Sequence, residues 1–220
     1  MRILLTGATG HSGRWFIKRL IEENFKGELV CLVREGGDVS LLEKSGLQHQ
    51  IIYGRIGEGD SLDRALEGID VVVHIAGIQI SRLVMQAAIN QGVSWAILVH
   101  TTGRFSKYKS ASSEYIAIEE DILKMRDQID ITVLRPTMIY GSTKDVNMHK
   151  LLLYLNRHGY FPLFGKGNNL MQPVHARDLG NAYYDVLQHE EQTKNKEYNL
   201  PGKEPLSYIE VRYRPVFFAN

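Results

Sequence analysis

Leu4-Leu5-Thr6-Gly7-Ala8-Thr9-Gly10-His11-Ser12-Gly13 decides the reading of the chain. A short apolar run, Ile3 to Leu5, ends in a polar turn with glycines at positions 7, 10 and 13, and an amphipathic stretch, Trp15 to Glu23, opens at once. Glycines spaced three and three let the backbone turn sharply, approach a pyrophosphate without interference from a Cβ, and bring the next helix close to the strand. Amides at the start of that helix then face the negative charge. A glycine triplet is weak evidence alone and strong between the first strand and first helix of an alternating series.

The rest of the chain supplies that series. Apolar runs predict strands at Leu29 to Val33, Gln50 to Tyr53, Val71 to Ile75, Trp95 to His100 and Ile131 to Leu134. Between them, apolar residues three or four apart predict helices over Ser61 to Glu67, Ser81 to Gln91 and Glu114 to Asp127. Gly27, Gly46, Gly68 and Gly92 sit where left-handed helix ends are wanted. Alternation of this kind predicts an α/β fold, a Rossmann-like doubly wound parallel sheet. Residues 1–140 form its dinucleotide-binding domain. After Pro136 the texture changes, and residues 141–220 predict a small substrate lobe interleaved with the sheet edge. It holds an apolar helix near Val146 to Arg157, a Gly/Asn-rich loop, a helix through Leu187 and a short strand at Tyr198 to Leu200. Ser207 and Glu210 form a capping-box pair that Pro215 stops after about two turns, which suggests a shortened lobe or a tail, Val216-Phe217-Phe218, packed on a neighbour.

Composition narrows the class. Of 220 residues, 44% are apolar and 23% charged, within the range of globular chains, and Lys+Arg less Asp+Glu is 26 − 25 = +1. No charge excess draws the chain to nucleic acid or to an anionic membrane. Cys31 stands alone, so no internal disulfide forms and a reducing compartment fits. No run approaches the ~20 apolar residues of a membrane span, no histidine or carboxylate spacing marks a metal site, and a cytoplasmic location is expected.

The words Thr6-Gly7-Ala8-Thr9-Gly10 with Gly13, Asp70 to Gly77, Leu134 to Gly141 and Pro173 to Ala182 resemble the short-chain dehydrogenase/reductase superfamily, in its extended or atypical branch called the NAD-dependent epimerase/dehydratase family. The resemblance runs to about Gly202. It implies a dinucleotide across the C-terminal edge of the sheet, held by Gly7, Thr9, Gly10, His11, Ser12 and Gly13. It also implies that Ala76 and Gly77 pass near a ribose, and that Pro136 and Thr137 lie at the nicotinamide end. His175 and Arg177-Asp178 match the family's return segment beside the substrate lobe.

At the end of the second strand an acid holds the ribose hydroxyls of NAD, whereas a basic residue pairs with the 2′-phosphate of NADP. Arg34 stands there, with Glu35 directly after it, and NADP is favoured over NAD. Arg14 is a second candidate cation. After the third strand the family places an Asp near the adenine; here the residues are Tyr53-Gly54-Arg55-Ile56.

The superfamily's chemistry uses a Tyr as general acid/base, a Ser or Thr, and a Lys four residues after the Tyr. Thr102, with Thr101 behind it, matches the Ser/Thr, and Tyr115 matches the Tyr. Position 119 is Glu, not Lys. On a helix Tyr115 and Glu119 share a face, so the acid opposes deprotonation of Tyr115; Glu119 is expected as a structural or ribose contact rather than a base, and Lys107 or Lys109 in the preceding loop is a candidate source of a cation. Two functions remain open. One is an NAD(P)-dependent oxidoreductase or epimerase/dehydratase-like enzyme acting on a small carbonyl, alcohol or sugar-nucleotide substrate. The other is an NADP(H)-binding sensor or assembly protein without catalysis. A homodimer is compatible with the pattern and is not required by it.

Overall fold

The computed structural model describes residues 1–141, 145, 148–158, 160 and 167–211. In chain order the elements are β1 (Arg2–Thr6), α1 (Gly13–Glu22), β2 (Glu28–Val33), α2 (Ser40–Glu43), β3 (His49–Tyr53), α3 (Ser61–Leu66), β4 (Val71–His74), α4 (Ser81–Asn90), β5 (Trp95–Val99), α5 (Lys109–Leu123) and β6 (Asp130–Pro136). Then come β7 (Ile139–Tyr140), α6 (Met148–His158), β8 (Leu170–Met171), β9 (Val174–His175), α7 (Ala176–Gln188), α8 (Glu190–Thr193), β10 (Glu197–Leu200), β11 (Leu206–Ser207) and α9 (Tyr208–Val211).

Seven strands form one parallel sheet in the order β10-β6-β5-β4-β1-β2-β3. The order reverses between β1 and β4, so a crevice opens beyond the C-terminal ends of these two strands. Alternation along β1 explains the two layers. Ile3 and Leu5 point into a core with Phe16 and Leu20 of α1 and Tyr183 of α7. Leu4, between them, points into the opposite core with Leu66, Met85 and Ile118 of α3, α4 and α5. Period two in the strands and three to four in the helices meet in both cores.

The chain after residue 141 returns to this frame. β10 pairs with β6 as the seventh strand, and α7 lies against α1. Gly180 allows that approach, since a Cβ there would stand 2.5 Å from the carbonyl carbon of Trp15. Two short ladders, β7 with β9 and β11 with β8, were not legible in the sequence.

Helix ends differ from expectation in two places. α5 starts at Lys109, and residues after Leu123 form turns that carry Ile129 into the core, where it is 3% exposed. Gly27 does not end α1. Asn24 takes the left-handed conformation (φ 52°), with Asn24 N–H donating to Ile21 and Phe25 N–H to Leu20, a Schellman pattern. Gly92 closes α4 as expected, with φ 72° and the same two bonds. Ser207 and Glu210 form the capping box: each receives the other's backbone N–H on its side chain. Pro215, the tail at 216–218 and the start of the Val146 helix lie outside the described residues.

Behind the sheet edge, buried Trp95 donates from Nε1 to Thr132 Oγ1 at 2.9 Å, and that hydroxyl donates to the Thr193 carbonyl at 2.7 Å. Thr132→Val keeps the shape and strands a buried indole N–H, a loss of about 1–3 kcal/mol. Urea unfolding followed at Trp95 checks this.

Candidate functional site: a dinucleotide cleft

A cleft of about 490 Å³ opens at the C-terminal ends of β1, β2, β3 and β4, within the 300–1,000 Å³ common for ligand sites. The glycine loop forms its floor. Gly7 holds φ 82°, and a Cβ there would stand 2.9 Å from Ala76 N, so the loop lies directly against the segment after β4. Gly10 N–H donates to Gly7 O at 2.9 Å. A Cβ on Gly13 would stand 2.1 Å from that same Gly7 carbonyl, so only glycine lets α1 start so close to the loop.

Ser12 precedes α1 but does not cap it. Its hydroxyl instead accepts from buried Tyr183 of α7 at 3.2 Å. The first turn of α1 carries no acidic side chain, so its positive dipole end meets the cleft without a competing charge, while the Arg14, Trp15 and Phe16 amides are already bonded to the Gly10 and Ser12 carbonyls. The residues present therefore fit the phosphates of a dinucleotide.

Of the sequence-predicted residues, Gly7, Thr9, Gly10, His11, Ser12, Arg34 and Ala76 line the cleft together. Gly13 lies behind the loop, and Gly77 (φ 135°) starts a 3-10 turn at its edge. His11 also meets the Tyr140 backbone, and burial holds its imidazole below the ordinary pKa. Arg14 does not offer a free cation: its Nη1 donates to Asp38 at 2.6 Å.

Thr102 and Pro136 are joined directly, Thr102 Oγ1 donating to the Pro136 carbonyl at 3.2 Å. Thr101 instead closes its own turn, accepting from Gly103 N–H at 3.0 Å. Tyr115 is half-buried, its ring packed beside Gly103: a Cβ there would be 3.3 Å from Tyr115 Cε2. Among the described residues its phenol meets no hydrogen-bond partner.

Glu119 is not placed at a ribose. It is fully buried, and Arg135 grips it through Nε at 3.0 Å to both oxygens and through Nη2 at 2.5 Å. Arg104 forms a further ion pair with it, and His100 Nδ1 meets it at 2.9 Å. Glu197 then joins Arg135 to Arg126. The carboxylate thus serves as a counterion for the interior. Arg135 does not pair with Asp178, whose neighbour is Arg177 at 3.6 Å. Lys107 is exposed, and the Lys109 side chain lies outside the described residues.

Two histidines escaped the sequence reading because they end apolar strands. His74 Nε2–H donates to the Gly77 carbonyl at 3.1 Å, so its Nδ1 accepts from Thr6 at 2.6 Å. That chain ties β1 and β4 to the segment under the cleft. Burial pushes His74 down to about 4. Burial, with Arg135 and Arg104 nearby, pushes His100 down to about 3. His100 is therefore neutral, Nδ1–H donating to Glu119. A polar residue closing an all-apolar strand at the sheet's C-terminal edge was the available signal.

The fold and this cleft define a class: a doubly wound α/β protein with a dinucleotide crevice at its topological switch point. The chain belongs to the NAD(P)H-binding family, whose model matches residues 7–148, and residues 100–200 match the NAD dependent epimerase/dehydratase family. The chain is 23% identical over 225 residues to the mitochondrial NADH dehydrogenase [ubiquinone] 1 alpha subcomplex subunit 9 of Arabidopsis thaliana, covering 93% of this chain and 54% of that one. A 73-residue stretch is 36% identical to the photosystem II assembly factor Ycf39 of Synechocystis, covering 33% and 21%. The fold superposes on the NAD complex of UDP-glucuronic acid 4-epimerase from Bacillus cereus with TM-score 0.81 at 20% identity, covering 96% of this chain and 80% of that one. The chain spans about half the length of the first curated relative. Among the described residues no helix is long and apolar enough to cross a membrane.

Two measurements test this electrostatic framework. Glu119→Gln leaves buried Arg135 and half-buried Arg104 undercompensated and costs about 3–5 kcal/mol in urea unfolding, with dinucleotide affinity of the folded protein unchanged. His74, lowered in the folded state, binds its proton more readily when unfolded, so its stabilisation is complete above pH 6.5 and is lost as pH falls toward 4, at about 1.4 kcal/mol per pH unit. His74→Gln removes one proton's worth of that slope in unfolding free energies measured from pH 7 to 4.5.

Proposed function

We propose that this protein binds NADP(H) in the cleft and acts as a dinucleotide-dependent sensor or assembly protein rather than as a standard oxidoreductase. The observation that carries this reading is the enclosure of Glu119. One turn after Tyr115, where the related enzymes use a lysine, the chain has a buried carboxylate that pulls Arg104 and Arg135 to itself. The Tyr115 phenol therefore lacks the helix-borne cation that would assist its proton transfer.

The binding half of the machinery is intact by the same standard. The uncapped start of α1, the three glycines and the Ala76 segment converge on a space of the right size, and Arg34 supports the 2′-phosphate. The match to a respiratory-complex subunit and the local match to an assembly factor agree with a binding role and assign neither assembly to this chain. The enzymatic reading keeps Thr102 beside Pro136 and Tyr115 beside Gly103. It calls for a small carbonyl, alcohol or sugar-nucleotide substrate.

Titration of the nucleotide-stripped protein, followed by quenching of Trp15 and Trp95, checks both halves. NADPH binds more than about tenfold tighter than NADH, ~1.4 kcal/mol. Tyr115→Phe leaves that affinity unchanged, and no NADPH oxidation accompanies a panel of aldehydes, ketones and sugar nucleotides. Turnover abolished by Tyr115→Phe would establish the enzymatic reading instead.

A further inference from the structure

We infer that Arg55 is the second half of a two-guanidinium site for a ribose 2′-phosphate, with Arg34 as the first. The inference rests on the cofactor reading above and assigns specificity to a residue that the related pattern gives to an acid.

The placement follows from the sheet. β2 and β3 run parallel with Val33 opposite Tyr53, and Gly54 N–H extends the ladder to the Val33 carbonyl at 2.9 Å. Arg34 and Arg55 follow these last rungs. Arg34 stands level with Gly54 and Arg55 one residue further along, on strands about 4.8 Å apart, and past the strand ends both line the cleft. Their starting points are fixed. A Cβ on Gly54 would stand 2.3 Å from Ser61 Cβ, which holds the backbone before Arg55 against α3. Gly37 N–H donates to the Arg34 carbonyl at 2.9 Å, closing the turn after Arg34.

The charges at this end are open. Arg55 lies 4.0 Å from Glu58, the outer limit of an ion pair, with both side chains exposed (65% and 72%). Arg34 makes no ion pair or side-chain hydrogen bond among the described residues. Glu58 lines the cleft with them, while exposed Glu35 does not. Arg14, the alternative partner, is already held by Asp38. Two guanidiniums lining one cleft suit a phosphate monoester, which accepts from several donors at once. A bare 2′-hydroxyl would instead be matched by an accepting carboxylate.

The experiment uses the full chain with four probes at fixed ionic strength: NADPH, NADH, adenosine 2′,5′-bisphosphate and 5′-AMP. Arg55→Gln is expected to weaken NADPH and the bisphosphate at least tenfold, leave NADH and 5′-AMP unchanged, and keep the wild-type melting temperature. Arg34→Gln does the same, and Arg14→Gln alters none of the four. Equal weakening of NADPH and NADH by Arg55→Gln, or no weakening of either, overturns the role of Arg55 while the cofactor reading stands. Failure of the wild-type chain to bind any probe overturns both.

Discussion

A fully buried carboxylate needs counterions, and much of the right-hand half of this structure is arranged to supply them to Glu119. Arg135 comes from β6, Arg104 from the turn after β5, and His100 from the end of β5. Glu197, at the start of β10, continues the network to Arg126. One side chain of α5 thus meets three groups, from the end of β5, the turn after it and β6, and Arg135 carries the network on to Glu197 and Arg126. Removing Arg135, which pairs with both carboxylates, leaves Glu119 undercompensated in a place closed to solvent, where the penalty exceeds the worth of a surface pair. The position of β10 as the seventh strand is therefore secured by electrostatics as well as by its ladder with β6.

The left-hand half is organised by close approach instead of charge. Gly13 brings α1 to the Gly7 carbonyl, Gly7 brings the loop to Ala76, and Gly180 brings α7 to the backbone of Trp15. Tyr183 then reaches from α7 to Ser12. The C-terminal part of the chain thus braces the nucleotide loop from behind.

Local signals were readable and long-range ones were not. Glycines at 7, 10 and 13 and the alternation of apolar runs carried the sheet, its two-layer packing and the glycine-loop side of the cleft, because each is a property of a short stretch of consecutive residues. Glu119 could not be placed that way. Its partners lie 15 and 16 residues away on either side, Arg104 and Arg135, and they meet it only because β5 and β6 pair. The same holds for Tyr183 and Ser12, which are 171 residues apart. Asn24 rather than Gly27 ends α1 because Asn tolerates the left-handed region and Phe25 must turn back into the core.

The distribution of arginines links the two halves to function. Arg104 and Arg135 are neutralised inside the protein, and Arg14 is neutralised at the rim by Asp38. Arg34, which makes no ion pair among the described residues, and Arg55, 4.0 Å from Glu58, follow the ends of β2 and β3. An anionic ligand is therefore drawn to the β2/β3 end and to the start of α1. The β5/β6 end offers Thr102, whose hydroxyl is already donated to Pro136, and Tyr115, without a neighbouring helix cation. A dinucleotide held this way gains its binding energy from phosphates and adenosine, while its reactive end meets little that would move a proton. On the proposed reading that separation goes with occupancy rather than turnover, and a bound dinucleotide would brace the loop, α1 and, through Ser12 and Tyr183, the helix α7 behind it.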